Sequence, residues 1–372
     1  MTQYLVNLSF LAEKPTGIDY YAQEMIPHFS QGKFTALTHS PIQNLDCYVI
    51  QSNRQHQTGA GSTFKRHLNR LFWTQFKLPK IYQKLQAKLL FSPVPEAPLW
   101  SNCRHIVTVH DFIPLRFPRR TSPLIPYHKY YIPQVVQQAQ HVICNSEATA
   151  RDIHHFCGVS ANKITPILLG YNSQHFYPRK NQQSLIQSGD RPNDYPNYFL
   201  YIGRCDPHKN LARVITAFSQ LEINDDHQLY LLGSTDNRHT PLLRQQITEL
   251  GLTDRVKFLD YVPYDDLPGV ISGAIALVFP SLWEGFGLPI LEAMGCGTPV
   301  ITSNLASMPE VAGDAAILVD PYNTAEIADA MGAIAKDTQL RSKLSALGLA
   351  RVRQFSWAKT AQQTEEILLS FL

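Results

Sequence analysis

The stretch Glu284-Gly285-Phe286-Gly287-Leu288-Pro289-Ile290-Leu291-Glu292 places a glycine turn between two glutamates. An apolar run from Ala276 to Phe279 precedes it and predicts a buried strand. Pro289 suits the first turn of a helix, where the missing N–H costs nothing and φ is already set, so a helix is expected to begin at about Leu288. A strand, a glycine turn and a helix in this order are the repeating unit of a parallel α/β sheet.

This turn is suited to binding an anion. A helix N-terminus has unpaired N–H groups and a partial positive charge, and glycine allows close approach, so Phe286, Gly287 and Leu288 are expected to face a diphosphate. A carboxylate can accept two hydrogen bonds from a vicinal diol. Glu284 and Glu292 are therefore predicted to hold one sugar ring on each side of that diphosphate, and the predicted ligand is a nucleotide sugar. The alternative is a solvated loop acid at Glu284 and a helix-favouring acid at Glu292.

Composition predicts two α/β domains. The chain has 372 residues, 44% of them hydrophobic and 17% charged, which exceeds the usual size of a single core. Apolar runs alternate with helical patterns in both halves, as two doubly wound Rossmann-like sheets require. The predicted strands are Tyr4 to Phe10, Cys47 to Ile50, Leu89 to Phe91, His105 to Val109, His141 to Cys144, Tyr198 to Ile202, Leu229 to Leu232, Val256 to Leu259, Ala276 to Phe279 and Val300-Ile301.

The domain boundary is predicted in the polar, proline-containing stretch from Phe176 to Asn197. The prediction is a first domain over 1–178, a linker over 179–197, a second domain over 198–355 and a final helix over 356–372. Helices are also expected at Tyr20 to Phe29, Tyr127 to Gln138 and Ser146 to Phe156, with Asn145 and Asn210 as N-caps of the helices that follow them.

Several simple classes of protein are excluded by the sequence. The six cysteines form no CxxC pair and are expected to be reduced, with no metal site. The start of the chain lacks a secretory signal pattern, and no run approaches ~18 apolar residues, so a cytoplasmic protein without a membrane span is predicted. No D-x-D triplet is present to hold Mg²⁺ on a diphosphate, so fixed cations are expected to replace a metal and no cofactor is predicted.

Two cations follow the first strand of the second half, in Gly203-Arg204-Cys205-Asp206-Pro207-His208-Lys209-Asn210. Open α/β sheets bind ligands at the carboxyl ends of their strands. Arg204 offers a planar fork and Lys209 a point charge, both suited to a diphosphate. Two solvated surface cations are the alternative.

The glutamate segment and the following Ala293-Met294-Gly295-Cys296-Gly297-Thr298-Pro299-Val300-Ile301 resemble the E-x7-E signature of the retaining glycosyltransferases of family 4, also called glycosyl transferases group 1. The resemblance covers the second domain closely and the first loosely. It implies a GT-B fold, in which two Rossmann-like domains face a central cleft and the C-terminal helix crosses back to the first domain. It also implies that Arg204 and Lys209 neutralise the leaving diphosphate.

In the first domain, the resemblance implies that His110, after Val107-Thr108-Val109, contacts the donor sugar, oriented by Asp111. Pro15-Thr16-Gly17 resembles the family's glycine loop, although Asp19 stands where relatives often have a second glycine and is expected to face the acceptor. The predicted catalytic residues are His110, Arg204, Lys209 and Glu284. The predicted donor-binding residues are Gly17, Gly203, Arg204, Lys209, Tyr261, Val262, Glu284, Gly285, Phe286, Gly287, Leu288 and Glu292.

A basic stretch distinguishes the first domain: Arg54 to Lys88 contains eight Lys or Arg and no Asp or Glu. Aromatic residues interleave with these cations from Phe64 to Lys88. This suits either peripheral contact with anionic lipid at the inner face of the membrane or a solvated helix over the core, with Leu68, Leu71 and Phe72 as core contacts. No nucleic-acid reader motif is present, so nucleic acid is not an expected partner.

The resulting hypothesis is a retaining hexosyltransferase of polysaccharide biosynthesis, with UDP-glucose as the first choice of donor and GDP-mannose as the second. A saccharide or lipid-linked saccharide is the expected acceptor. A sugar-nucleotide epimerase of the same fold and a catalytically silent nucleotide-sugar binding protein are the alternatives. A dinucleotide-dependent dehydrogenase is disfavoured because Ile290 stands where a third glycine belongs.

Overall fold

The computed structural model describes residues 3–12, 16–50, 63–118, 122, 124–179, 197–222, 227–259 and 262–372, with the backbone alone for 63–66. The chain forms two compact units: unit 1 contains Met1–Gly170 and Trp357–Leu372, and unit 2 contains Tyr171–Ser356. The sequence placed the first boundary after Pro178, whereas the units divide between Gly170 and Tyr171. All but the end residues of the predicted linker lie outside the described residues.

Unit 1 is built on one parallel sheet. Its strands are β1 (Tyr4–Asn7), β2 (Phe34–Thr38), β3 (Cys47–Val49), β4 (Leu89–Ser92), β5 (His105–Val109), β6 (His141–Cys144) and β7 (Ile164–Pro166). These seven strands lie in the order β3-β2-β1-β4-β5-β6-β7, with parallel pairing throughout. Every residue of β1, β4 and β5 is buried, which explains their continuous apolar runs.

The helices of unit 1 are α1 (Gly17–Met25), α2 (Thr63–Phe76), α3 (Leu78–Lys84), α4 (Ile113–Arg116), α5 (Leu124–Pro126), α6 (Ile132–Gln138), α7 (Glu147–Cys157) and α15 (Trp357–Ser370). The helix predicted from Tyr127 is divided, because Tyr127–Tyr131 forms a π-helical turn before α6. The prediction of Asn145 as N-cap of α7 is wrong: Ser146 holds that position, and its hydroxyl accepts a hydrogen bond from the Thr149 amide at 3.0 Å.

The C-terminal helix α15 is fixed within unit 1 by a buried carboxylate. Glu365 accepts hydrogen bonds from the Tyr4 hydroxyl at 2.9 Å and from the Ser30 hydroxyl at 2.7 Å. The Thr360 hydroxyl donates to the Leu168 carbonyl at 2.8 Å. The last helix therefore completes the unit that the first strand begins.

Unit 2 contains a second parallel sheet. Its strands are β8 (Tyr198–Ile202), β9 (Gln228–Leu232), β10 (Val256–Leu259), β11 (Ala276–Phe279), β12 (Val300–Ser303) and β13 (Ile317–Val319). Its helices are α8 (Leu211–Ser219), α9 (Thr240–Glu249), α10 (Leu267–Ser272), α11 (Leu288–Gly295), α12 (Met308–Ala312), α13 (Thr324–Lys336) and α14 (Thr338–Arg351). The six strands lie in the order β10-β9-β8-β11-β12-β13.

Each sheet reverses its strand order at one place, between β1 and β4 in unit 1 and between β8 and β11 in unit 2. Such a reversal opens a crevice at the carboxyl ends of the two strands. In unit 2 the segment that follows β8 is 203–210, which carries Arg204 and Lys209, and the segment that follows β11 is the glutamate segment, 284–292. Among the described residues, no helix is long and apolar enough to cross a membrane.

Candidate active site

The glutamate segment forms the predicted turn and helix. Gly287 is the N-cap residue of α11 and has a left-handed backbone with φ of +104°, which explains the glycine. The buried Ser307 hydroxyl lies 3.0 Å from the carbonyl oxygen of Glu284 and 2.8 Å from that of Phe286. This serine fixes the turn from outside the segment. Sequence reasoning missed it, because no local pattern connects Ser307 with the turn.

Glu284 and Lys209 form a close ion pair. The Lys209 Nζ lies 2.6 Å from Oε1 and 2.8 Å from Oε2 of Glu284, and the two side chains are 18% and 9% exposed. Both are brought to this place by the turns after β8 and β11. The cation predicted for the diphosphate and the carboxylate predicted for a sugar hydroxyl are therefore direct neighbours. The charge of Lys209 is held in position by the carboxylate before any ligand binds.

Asn210 connects three strand ends. It occupies the N-cap position of α8 but makes no side-chain cap, so its predicted capping role is wrong. Its amide instead donates to the carbonyl oxygens of Pro280 at 3.0 Å and Pro321 at 2.6 Å. These contacts hold the turn that carries Lys209 against the residues that follow β11 and β13.

Arg204 and Gly203 lie at the end of β8. The Arg204 side chain is 63% exposed, and its Nε lies 3.3 Å from Asp206 Oδ2, so the guanidinium remains open to solvent. Gly203 has a φ of +150°, and a Cβ there would lie 2.6 Å from the Tyr201 hydroxyl. A Cβ on Gly233, after β9, would lie 2.1 Å from the Gly203 carbonyl oxygen. The backbones after β8 and β9 thus approach each other too closely for side chains.

Glu292 differs in its surroundings from Glu284. It lies in the first turns of α11 and is partly buried, and burial raises the pKa of its carboxyl to about 7. No hydrogen bond or ion pair of this carboxyl is formed with any residue that the structure describes. Within the described part of the chain the group is desolvated without compensation, a condition that is frequent at functional sites.

The remaining donor residues of unit 2 have unequal support. Gly285 and Phe286 are buried in the turn, and Leu288 begins α11. Val262 is half-buried in the segment after β10, outside regular structure. Tyr261 lies outside the described residues, so its predicted role in donor binding stays a prediction.

One group of possible metal ligands occurs within the described ranges: Asp206, Asp236 and His239, whose ligand atoms lie within 4.8 Å of one another. Asp236 Oδ1 already accepts hydrogen bonds from the Arg238 amide at 2.7 Å and the His239 amide at 2.6 Å. These hydrogen bonds show that the Asp236 carboxylate stabilises its own loop, and we assign no metal to this group.

In unit 1, His110 follows β5 and is held by the backbone. Its Nε2 lies 2.8 Å from the Pro93 carbonyl oxygen, and its ring meets that of Tyr21 edge-on at 4.9 Å. Desolvation by burial lowers the pKa of His110, so the ring is neutral at pH 7. Because a carbonyl only accepts, Nε2 carries the proton and Nδ1 keeps its lone pair. The ring is oriented by Pro93 rather than by Asp111, whose carboxylate accepts from the Ile113 amide at 2.9 Å.

In the glycine loop of unit 1, the expected orientation of Asp19 is wrong. Asp19 does not face an acceptor: its buried carboxylate accepts hydrogen bonds from the Ala12 amide at 2.9 Å and from the Thr16 amide at 2.8 Å, closing the loop on itself. Gly17 begins α1, and a Cβ there would meet no atom within 4 Å among the described residues. The unit itself does not require glycine at this position.

Comparison with known proteins identifies the family. The family described as Glycosyl transferases group 1 matches residues 179–349, and the one described as Glycosyltransferase Family 4 matches residues 29–175. The O-antigen chain mannosyltransferase B of Escherichia coli is 31% identical over 263 residues, which cover 70% of this chain and 69% of the relative. The O-antigen chain mannosyltransferase RfbU of Salmonella typhimurium is 32% identical over 216 residues, which cover 58% of this chain and 56% of the relative.

Solved structures agree with the fold. A sucrose-phosphate synthase from Thermosynechococcus elongatus superposes with a TM-score of 0.78 at 20% identity, covering 100% of this chain and 99% of that one. HepE of Anabaena, solved in complex with UDP and glucose, gives a TM-score of 0.74 at 20% identity, with 100% of both chains covered. The chain thus belongs to the family 4 glycosyltransferases of glycosyl transferases group 1, with the two-domain GT-B fold.

Proposed function

We propose that the protein is a retaining hexosyltransferase that moves a hexose from a nucleoside diphosphate to a saccharide acceptor in polysaccharide biosynthesis. The observation that carries this proposal is the bidentate Lys209–Glu284 ion pair beside the turn that opens α11. It joins a fixed cation, a carboxylate and the positive end of the α11 helix dipole at one switch point of a parallel sheet. These are the groups that a sugar diphosphate needs.

The chemistry follows from charge. Loss of the nucleoside diphosphate builds negative charge on the leaving oxygen while the sugar becomes oxocarbenium-like, and cations aimed at that charge lower the barrier. Lys209 is held in place and Arg204 is open to solvent, so one cation is preorganised and the other is free to close on the phosphates. We propose that these two cations and the α11 N-terminus replace a metal.

The roles proposed for the carboxylates differ. Both oxygens of Glu284 face Lys209, which makes it a poor nucleophile but leaves lone pairs for a sugar hydroxyl. This favours retention by reaction on one face, with the departing phosphate as base, over a covalent glycosyl-enzyme. Glu292 is assigned to the nucleotide. Within unit 1, the Nδ1 lone pair of His110 is assigned to accept a hydrogen bond from a sugar hydroxyl.

For the donor we propose a mannosyl nucleotide, GDP-mannose, ahead of UDP-glucose. Two relatives above 30% identity are named as O-antigen mannosyltransferases. The sequence had favoured UDP-glucose, and the structure solved with UDP and glucose is only 20% identical, which supports a shared fold alone. The O-antigen names also support a saccharide or lipid-linked saccharide as acceptor.

The decisive assay measures donor binding calorimetrically for GDP-mannose, UDP-glucose and ADP-glucose in EDTA, with wild type and Glu292→Ala. We expect one nucleotide to bind without metal and the variant to lose it. The anomeric configuration of the product, determined by proton NMR, then tests retention. Isomerisation of a donor in the absence of acceptor would identify an epimerase, and the absence of binding to all three would exclude the proposal.

We further propose that α2 rests on anionic lipid. Of the three core contacts that the alternative names, Leu71 is half-buried, but Leu68 and Phe72 are exposed. Leu68, Phe72 and Phe76 are 46%, 63% and 50% exposed. They are spaced four residues apart on one helix face, and exposed lysines follow at Lys77 and Lys80. We expect flotation with vesicles containing phosphatidylglycerol, but not with pure phosphatidylcholine, and loss of flotation for Phe72→Glu. Equal behaviour on both vesicles would refute this contact.

A further inference from the structure

A second polar cluster lies in unit 1, after strand β4, at the place where the sheet of that unit reverses its order. Its centre is Arg70 on α2. The Arg70 Nη2 lies 2.7 Å from Glu96 Oε1 and 3.1 Å from His67 Nδ1. The Tyr127 hydroxyl donates to the same Glu96 oxygen at 3.2 Å. None of these residues takes part in the donor chemistry proposed above.

Only one oxygen of the Glu96 carboxylate accepts hydrogen bonds from the described residues. The residue is 1% exposed, and its Oε1 has both partners while the buried Oε2 has none among the described residues. A buried carboxylate oxygen without a hydrogen bond is costly, so such an atom requires an explanation. Oε2 is an acceptor without a donor.

The ring of His67 supplies the complementary group. An arginine only donates, so Nδ1 must be the accepting nitrogen and the proton resides on Nε2 in the neutral ring. Desolvation by burial lowers the pKa of His67, which favours this neutral form. Nε2 is buried and has no partner within the described part of the chain. It is a donor without an acceptor, one ring atom away from the contact with Arg70.

The cluster is held rigidly. The Gln75 amide and the Tyr131 hydroxyl donate to the Ala97 carbonyl at 3.0 and 2.9 Å, which fixes the loop that carries Glu96. Tyr127 and Tyr131 belong to the π-helical turn, a feature that is frequent at functional sites. The same loop begins at Pro93, whose carbonyl holds His110. The cluster and His110 therefore share one support.

The charges define the ligand. The carboxylate of Glu96 disfavours an anion, and the guanidinium of Arg70 disfavours a cation. A neutral group that both accepts and donates fits, and a hydroxyl accepting from His67 and donating to Glu96 makes both bonds in one cooperative chain. We propose that His67, Arg70 and Glu96 form a hydroxyl-recognition site that binds a pyranose ring of the acceptor, an inference that rests on the proposed glycosyltransferase function.

The test measures, by ligand-observed NMR and without nucleotide, the binding of simple glycosides to the full chain. The glycosides are methyl α-mannopyranoside, methyl α-glucopyranoside, methyl α-galactopyranoside and their monodeoxy forms. Glu96→Gln keeps the shape but replaces the acceptor by a donor, and His67→Phe removes the N–H. Both should weaken binding roughly tenfold or more. His67→Gln retains an N–H near Nε2 and should bind like wild type, as should the control His141→Phe on β6.

The glycoside that lacks the recognised hydroxyl should bind the wild type weakly. Its affinity should not fall further in Glu96→Gln, because the hydrogen bond between that hydroxyl and Glu96 is already absent. Failure of all the glycosides to bind wild type, or equal losses in the control, or deoxy sensitivity that persists in Glu96→Gln, would each overturn the site. If Glu96→Gln does not fold, the two His67 variants decide the result. The assay contains no donor, so its failure is distinct from a failure to bind or turn over a nucleotide sugar.

Discussion

Replacing Glu292 by glutamine separates the two effects that the structure assigns to this carboxyl. In the folded chain its pKa is raised from 4.5 to about 7 by desolvation. The folded state therefore binds more protons than the unfolded state between these values, and stability falls as the pH rises through that window. It is highest below about pH 4.5, and the loss is complete above about pH 7.

The magnitude follows from the size of the shift. A full shift of this size costs about 3 kcal/mol at pH 8 and less than about 1 kcal/mol at pH 5. Because the side chain keeps part of its exposure, we expect Glu292→Gln to stabilise the protein by about 1–3 kcal/mol at pH 8, and by little at pH 5. Glutamine has nearly the same shape and breaks no contact with the described residues. The stabilisation would appear as a rise of a few degrees in Tm.

The same substitution should weaken nucleotide binding, since glutamine has a donating NH2 group where the carboxylate has its second accepting oxygen, and it loses the charge that strengthens these bonds. Wild-type binding should rise with pH through about 7, and this dependence should disappear in the variant. Thermal unfolding at pH 5 and pH 8, with calorimetry of the nucleotide, measures both effects. Glu249→Gln, an exposed change on α9, is the control. A destabilised variant at pH 8, or unchanged nucleotide affinity, would refute the argument.

Three further substitutions test the site. Lys209→Met leaves the Glu284 carboxylate buried without its partner, so we expect the free energy of unfolding to fall by about 3 kcal/mol. Turnover should fall roughly a hundredfold or more. Adding Glu284→Gln should restore the stability but not the turnover. Arg204→Ala should reduce turnover by a similar factor while changing the stability by less than about 0.5 kcal/mol, as chemical denaturation would show, because this side chain is mostly exposed. Gly287→Ala places a Cβ at a φ of +104° and 3.2 Å from Ile290 Cδ1, so it should lower the free energy of unfolding by about 1–2 kcal/mol. Gly17→Ala should not lower it, because a Cβ there meets no described atom within 4 Å. Equal losses of stability in the two variants would contradict the assignment of Gly287 to a strained turn.

Periodicity and composition predicted much of the fold. Buried parallel strands carry continuous apolar runs, which is why most strands were located, and the family resemblance supplied the two-domain architecture. Three strands escaped: Phe34–Thr38, Ile164–Pro166 and Ile317–Val319. Ile164–Pro166 and Ile317–Val319 have three residues each and lie at the edge of a sheet, where burial is less complete and the apolar signal is weaker. Phe34–Thr38 has five residues, but two threonines interrupt its apolar pattern.

The site was predicted as a set of residue types but not as a set of contacts. Side-chain partners depend on which turns the sheet brings together, and no local pattern records that Lys209 pairs with Glu284 or that Ser307 supports the turn. Asp19 shows the converse. Its position in the sequence indicated a ligand, yet the nearest backbone N–H groups satisfy its carboxylate first.

The two glutamates of the opening segment show why spacing alone could not assign their roles. Glu284 lies in a turn that faces a lysine from the turn after the neighbouring strand β8, so its charge is compensated and its oxygens are oriented. Glu292 lies on a helix that buries its stem and offers no partner, so its charge costs free energy until a ligand contributes hydrogen bonds. One carboxylate is therefore prepared to position charge throughout the reaction. Ligand binding would give the Glu292 carboxylate the hydrogen bonds that it lacks and so offset the cost of its desolvation. We therefore expect nucleotide binding to stabilise unit 2 more at pH 8 than at pH 5.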